Sequence, residues 1–249
     1  MYRLNDLVIE CTRRCNMQCD HCLRGDSENI DMDLKYVDKL FEKIDQINFM
    51  ALSGGEPSIV PDILIGILEL AKKHHVEIDS FYIATNGKLI SDEFIRSLFE
   101  WHIFCNNDDG VNKVEISQDY MHKCDYEIGQ RNIDKLMCLR FVGVRNDNDD
   151  YNSGQELIHE GRAAWNYAAK RHITPSSITM NDEDGDEDMI EDDLYLDCNG
   201  DIHSACDLSY FTMDEGDFKI GNIMDDGFDF EKAIETYNNK LKEAETCPT

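Results

Sequence analysis

An α/β fold built on parallel strands is what this sequence predicts, and three observations carry the prediction. Short apolar runs of strand length alternate with longer segments whose apolar residues recur every three or four positions. The turns between them are short, which favours parallel strands joined by right-handed crossovers. Cys15, Glu56, Asn86 and Asp119 each follow the end of a strand-like run, so they gather on the rim where sites of such folds form. With 249 residues, the chain can bury the core of one such domain or of two small ones.

Taken in order, residues 6–11 read as a buried strand leading into a cysteine-rich loop. Asp33 can cap a helix whose buried face is Leu34, Val37, Leu40, Phe41 and Ile44. Residues 49–53 form the next strand and deliver Gly54-Gly55-Glu56-Pro57; Pro61 then opens a second helix. A strand over 78–84, a helix over 92–101 and a strand over 113–117 follow. A helix over 124–136 leads to a strand over 138–144, then a polar loop over 145–153. A helix is expected within 155–171 and a sixth strand over 173–180, although Pro175 weakens the latter. Residues 181–193 are an acidic linker: Asp182, Asp184 and Asp186 alternate, but the glycine stands at 185, so the EF-hand pattern fails. Asn199-Gly200 marks a hairpin between 194–198 and 202–206, followed by a strand-like 218–223 and a helix over 230–245.

The chemistry centres on Cys15, Cys19 and Cys22, thiols at spacings of four and three after an apolar run. So closely spaced, they can converge on one soft metal centre, and three ligands leave a position open. Structural zinc, with Cys11 as a fourth ligand, fits the same cysteines.

Cys-x3-Cys-x2-Cys followed by Gly54-Gly55-Glu56-Pro57 resembles the radical S-adenosylmethionine (SAM) superfamily. The resemblance implies a partial (β/α)6 TIM-like barrel over residues 1–180 and one [4Fe-4S] cluster on Cys15, Cys19 and Cys22. SAM would chelate the fourth iron, and His21 matches the aromatic residue usual before the third cysteine. Gly54, Gly55 and Glu56 would meet SAM, and Asn86, Ser117 and Asp119 occupy positions that bind its methionyl part and ribose. Gly161-Arg162-Ala163 resembles a motif of extended members, in which Arg162 would pair with the SAM carboxylate or an anionic substrate. Residues 194–249 resemble the small α+β twitch or SPASM extension, but only Cys198, Cys206 and Cys247 are available there, against the dense later cysteines of a full SPASM. Those cysteines read as structural thiols, as ligands of a second cluster, or as a hydrogen-atom donor. The tail is expected to act as a lid, with Asp197, Asp207 or Tyr210 facing substrate, and His122 to face the cavity.

Composition narrows the partners. A net charge of −28 disfavours general binding of nucleic acid or anionic membrane, while leaving room for a local basic pocket. No apolar stretch of roughly 18 residues and no signal-peptide pattern occur, which predicts a cytoplasmic protein. Ten cysteines then read as reduced thiols, with Cys105, Cys124 and Cys138 in core-like segments. The expected function is reductive cleavage of SAM to a 5′-deoxyadenosyl radical and hydrogen abstraction from a peptide or small molecule, with flavodoxin or ferredoxin as electron donor. A start of the barrel near Met1 leaves no leader-recognition domain in this reading. The alternatives are a glycyl-radical activase, which the long tail disfavours, and a non-enzymatic iron–sulfur or zinc protein, which Gly-Gly-Glu-Pro disfavours.

Overall fold

The computed structural model describes residues 1–105, 113–117, 126–145, 157–165, 169–180 and 189–246. Asp119, His122, Cys124, the alternating aspartates at 182–186 and Cys247 lie outside them.

Five strands form the parallel series that the alternation predicts: β1 (Tyr2–Thr12), β2 (Ile44–Gly54), β3 (Glu77–Thr85), β4 (Lys113–Ser117) and β5 (Val142–Arg145). The crossovers are α1 (Leu34–Phe41), α2 (Pro61–His74), α3 (Asp92–Phe104) and α4 (Tyr126–Leu136). Asp33 caps α1, its carboxylate accepting from Lys35 N at 3.1 Å, and Val37, Leu40 and Phe41 face the core. Ile44 lies beyond the helix; it pairs with Tyr2 and opens β2, so strand pairing overrides the helical period there. Pro61 starts α2, whose Ile63, Leu64, Ile67 and Leu68 are buried. Trp101 of α3 donates from its indole to Leu64 O at 3.0 Å, tying the two helices through a satisfied buried donor.

Several expectations change in the second half. β5 begins at Val142, because residues 137–141 turn away from α4 and bury Leu139 and Phe141 while leaving Cys138 exposed. The helix expected within 155–171 is instead β6 (Leu157–Ile158), a 3-10 turn (Gly161–Trp165) and β7 (Ala169–Arg171). Residues 173–180 make no strand ladder. Both backbone groups of Ile178 are met by the Asn238 side chain, at 2.9 and 2.8 Å, in place of a strand neighbour.

The tail joins the main sheet. β8 (Met189–Ile190) and β9 (Leu194–Leu196) pair in parallel with the free edge of β1, Leu7 opposite Leu194 and Ile9 opposite Leu196. β10 (Asp201–His203) follows the Asn199-Gly200 turn, and β11 (Lys219–Asn222) pairs with it, both antiparallel. The sheet order is β11-β10-β9-β1-β2-β3-β4-β5, open rather than closed into a barrel. A short helix, α5 (Tyr210–Glu215), which the sequence reading lacked, and α6 (Phe230–Thr246) complete the tail. Leu194, Leu196, Ile202, Phe230 and Ile234 share one hydrophobic core with Leu4, Leu7 and Ile9. β1, paired on both sides, is thus the spine of the fold and delivers the cysteine loop.

Candidate active site

The cysteine loop leaves β1 under firm restraint. Cys15 N donates to Ser27 Oγ at 2.9 Å, and Cys22 N donates to Cys19 O at 3.1 Å, folding the second half of the loop into a turn. Burial pushes the Cys15 thiol up, with Glu56 and Cys22 adding to the effect. Burial and the neighbouring Cys22 and Cys15 push Cys19 up to about 11. Thiols serve as metal ligands in their deprotonated form, so a cationic centre between these cysteines would hold them as thiolates. Among the described residues, the metal-capable set whose ligand atoms all lie within 4.8 Å of one another is Asp197, Asp201 and His203, not the cysteines.

Gly54 and Gly55 are required by the protein's own backbone. A Cβ on Gly54 would lie 2.2 Å from Thr12 O, and one on Gly55 would lie 2.2 Å from Arg14 O. Gly55 N and Glu56 N donate to those same carbonyls at 2.7 and 2.9 Å, so the end of β2 is sewn to the root of the cysteine loop. Glu56 is buried and ties β2 to β3: Oε1 accepts from Ser58 N at 3.1 Å and Thr85 Oγ1 at 2.6 Å, and Oε2 from Asn86 N at 2.8 Å. One lone pair of Oε2 remains for a ligand. Asn86 reaches back to the loop, donating from Nδ2 to Asn16 Oδ1 at 2.8 Å.

A single cavity of about 410 Å³ collects these parts. Cys15, Cys19, His21 and Cys22 line it beside Gly54, Gly55, Glu56, Asn86 and Ser117, and the tail adds Cys206 and Asp207. Two cations absent from the sequence reading also line it. Arg145, at the end of β5, donates to Ser117 Oγ at 3.4 Å, and Arg24, stacked over Tyr195 at 4.7 Å, donates to Leu208 O at 2.5 Å. Their signal was faint, since one followed a strand edge that the sequence blurs and the other sat in an unpatterned loop.

Four expected site residues lie elsewhere. Arg162 is not among the cavity-lining residues; it bonds the outside of the cysteine loop. Cys198 is buried against β1, its thiol donating to Glu10 O at 3.3 Å, and burial beside Glu10 pushes it far up. Asp197 and Tyr210, expected to face substrate, are buried in an ion network instead. Arg13 binds Glu10 at 2.9 Å, Glu28 at 2.9 Å and Asp197 at 3.3 Å, and lies over the Tyr210 ring. Tyr195 OH donates to Glu10 Oε1 at 2.9 Å. Glu10 and Arg13 follow the apolar run Leu7–Ile9, and charges placed at the end of a strand destined for burial were the available signal.

The profile described as Radical SAM superfamily matches residues 9–136, just over half of the chain. The chain belongs to the radical SAM superfamily. A [4Fe-4S] cluster and SAM are the cofactors of this family, and three thiols around an open cavity suit both. The tungsten-containing aldehyde ferredoxin oxidoreductase cofactor-modifying protein of Pyrococcus furiosus is 31% identical over 122 residues, 46% of this chain and 31% of that protein. An uncharacterised protein of Methanocaldococcus jannaschii is 28% identical over 105 residues, 40% of this chain and 36% of its own. The radical SAM chain thus spans about a third of the curated relatives it matches. Among solved structures, anSMEcpe with bound AdoMet covers 98% of this chain and 86% of its own at TM-score 0.55 and 14% identity. Native anSMEcpe with AdoMet and the Cp18Cys peptide gives TM-score 0.57 at 13% identity, with the same coverage. This likeness extends the shared fold through the tail. No helix among the described residues is long and apolar enough to cross a membrane.

Proposed function

We propose that this radical SAM enzyme cleaves SAM reductively at one [4Fe-4S] cluster held by Cys15, Cys19 and Cys22, and abstracts hydrogen from a peptide or small molecule in the same cavity. The observation that carries the reading is the shared lining: the three thiols, Gly54–Glu56, Asn86 and Ser117 surround one space of a size that takes a nucleoside-sized ligand. When bound, the cluster and SAM supply a one-electron cleavage that yields a 5′-deoxyadenosyl radical.

The protein's part is positioning. Glu56, rigidly held by β3, offers its remaining lone pair to the SAM ammonium, and Asn86 and Ser117 face the methionyl part and ribose. Asp119 belongs to the same rim in this reading. Arg145 supplies a cation for a carboxylate, of SAM or of substrate. Asp207 and Cys206 form the tail's side of the cavity and meet the substrate. A flavodoxin- or ferredoxin-type donor in the cytoplasm supplies the electron. A peptide substrate draws support from the fold shared with the peptide-bound anSMEcpe, and a cofactor precursor from the likeness to the Pyrococcus protein.

Anaerobic reconstitution with iron and sulfide, followed by incubation with SAM and dithionite, tests this reading. It requires formation of 5′-deoxyadenosine and methionine. Bound zinc without iron, or intact SAM in protein that carries the cluster, would refute it.

A further inference from the structure

Arg162 is not among the cavity-lining residues, yet both its side chain and its backbone bond the loop that carries the cysteines. Its Nε donates to Cys19 O at 2.9 Å, and its backbone N–H donates to Cys22 O at 2.9 Å, a carbonyl that Ala163 N also reaches at 3.3 Å. Gly161, at φ 52°, lets this turn close on the loop: a Cβ there would lie 2.3 Å from Leu23 O and 2.5 Å from Gly25 N. The guanidinium is 22% exposed and its Nη1 pairs with Asp26 at 2.9 Å, on a carboxylate that is 92% exposed. The Nε bond to Cys19 O sets the guanidinium charge directly against the backbone of the second cysteine.

We infer that Arg162 is a positioning residue for the cluster: it pins the loop segment between the second and third cysteines and places a fixed positive charge behind the thiolates. The inference rests on the cluster assignment proposed above. Cys22 O is held by two backbone N–H groups that any residue at 162 keeps, whereas Cys19 O is held by the Arg162 Nε, so the side chain fixes the second cysteine's end of the segment before iron arrives. A cation beside three thiolates also stabilises the more negative, reduced cluster, which raises its potential. Pinning and charge make separable predictions, because Asp26 offsets the charge without touching the loop carbonyls.

The test compares wild type, R162Q, R162K and D26N as reconstituted full chains, by iron release to a chelator and by midpoint potential in an EPR-monitored titration at low salt. R162Q should release iron about tenfold faster. It should also be about tenfold less reduced at the wild-type midpoint, equivalent to about 59 mV for one electron. R162K should keep most of the potential but lose iron faster, since the charge remains and the Nε donor is gone. D26N should shift the midpoint upward with iron release unchanged. Wild-type release and midpoint in R162Q would overturn the inference. If R162Q does not fold, an unshifted D26N midpoint together with wild-type iron release from R162K would do so. Wild-type protein that binds no iron would instead overturn the cluster assignment itself.

Discussion

Arg13 Nη2 donates to Asp197 Oδ2 at 3.3 Å, joining two buried side chains that lie 184 positions apart. The bond fastens the tail to the residue two places before Cys15, so the strand that delivers the cysteine loop and the hairpin beside it form one unit. Breaking a buried pair from one side leaves an uncompensated charge. D197A and R13A should each lower the unfolding free energy by about 3–5 kcal/mol in denaturant titrations. An effect below about 1 kcal/mol, the range of a surface pair, would show that the network is dispensable.

Acid should weaken the same junction. Burial alone would raise the Asp197 pKa, but the bond to His203 and the N–H groups of Asp201 and Asn199 outweigh it, so the folded value is depressed. A depressed carboxylate contributes stability above its unfolded pKa of about 3.9 and loses that contribution as pH falls through the folded value. The stability difference between wild type and D197N should therefore be constant at neutral pH and shrink below about pH 4. A difference independent of pH down to the acid transition would count against this assignment.

Replacing Cys15, Cys19 and Cys22 together with alanine should abolish the roughly four irons of a [4Fe-4S] centre. C198A should retain them, because that thiol is committed to Glu10 O and does not line the cavity. Iron analysis and visible absorption of anaerobic protein decide both points. Iron that survives the triple replacement and falls with Cys206 would reveal a second cluster.

Glu56 faces two demands, one from the protein and one from the ligand. E56A removes three acceptor contacts and should cost about 1–3 kcal/mol of stability, because buried donors at Ser58, Thr85 and Asn86 lose their partner. It should also weaken SAM binding, measured by calorimetry on cluster-loaded protein, without removing iron. Unchanged SAM affinity would assign Glu56 to the fold alone.

Asp207 lines the cavity while Asp197 does not, and their variants should divide accordingly. D207N should lower substrate turnover more than uncoupled formation of 5′-deoxyadenosine. Equal loss of both, assayed side by side, would make the tail's contribution to the cavity purely architectural.

Local chemistry was legible in the sequence by itself. The spacing of Cys15, Cys19 and Cys22, the Gly-Gly-Glu-Pro turn, the Asp33 cap, the Pro61 helix start and the Asn199-Gly200 hairpin each depend on neighbours a few residues away, and such short-range geometry is written in residue order. The tertiary structure alone decided what lies beside what. Strand pairing places Leu194 against Leu7 and makes the tail part of the sheet, because the open edge of β1 carries unpaired backbone groups that a short strand can satisfy from any distance along the chain. The same pairing buries Arg13 with Asp197 and takes Tyr210 out of the cavity, while the turn at Gly161 sets Arg162 behind the cysteine loop. Those contacts join segments more than a hundred residues apart, and no periodicity or spacing within either segment encodes its partner.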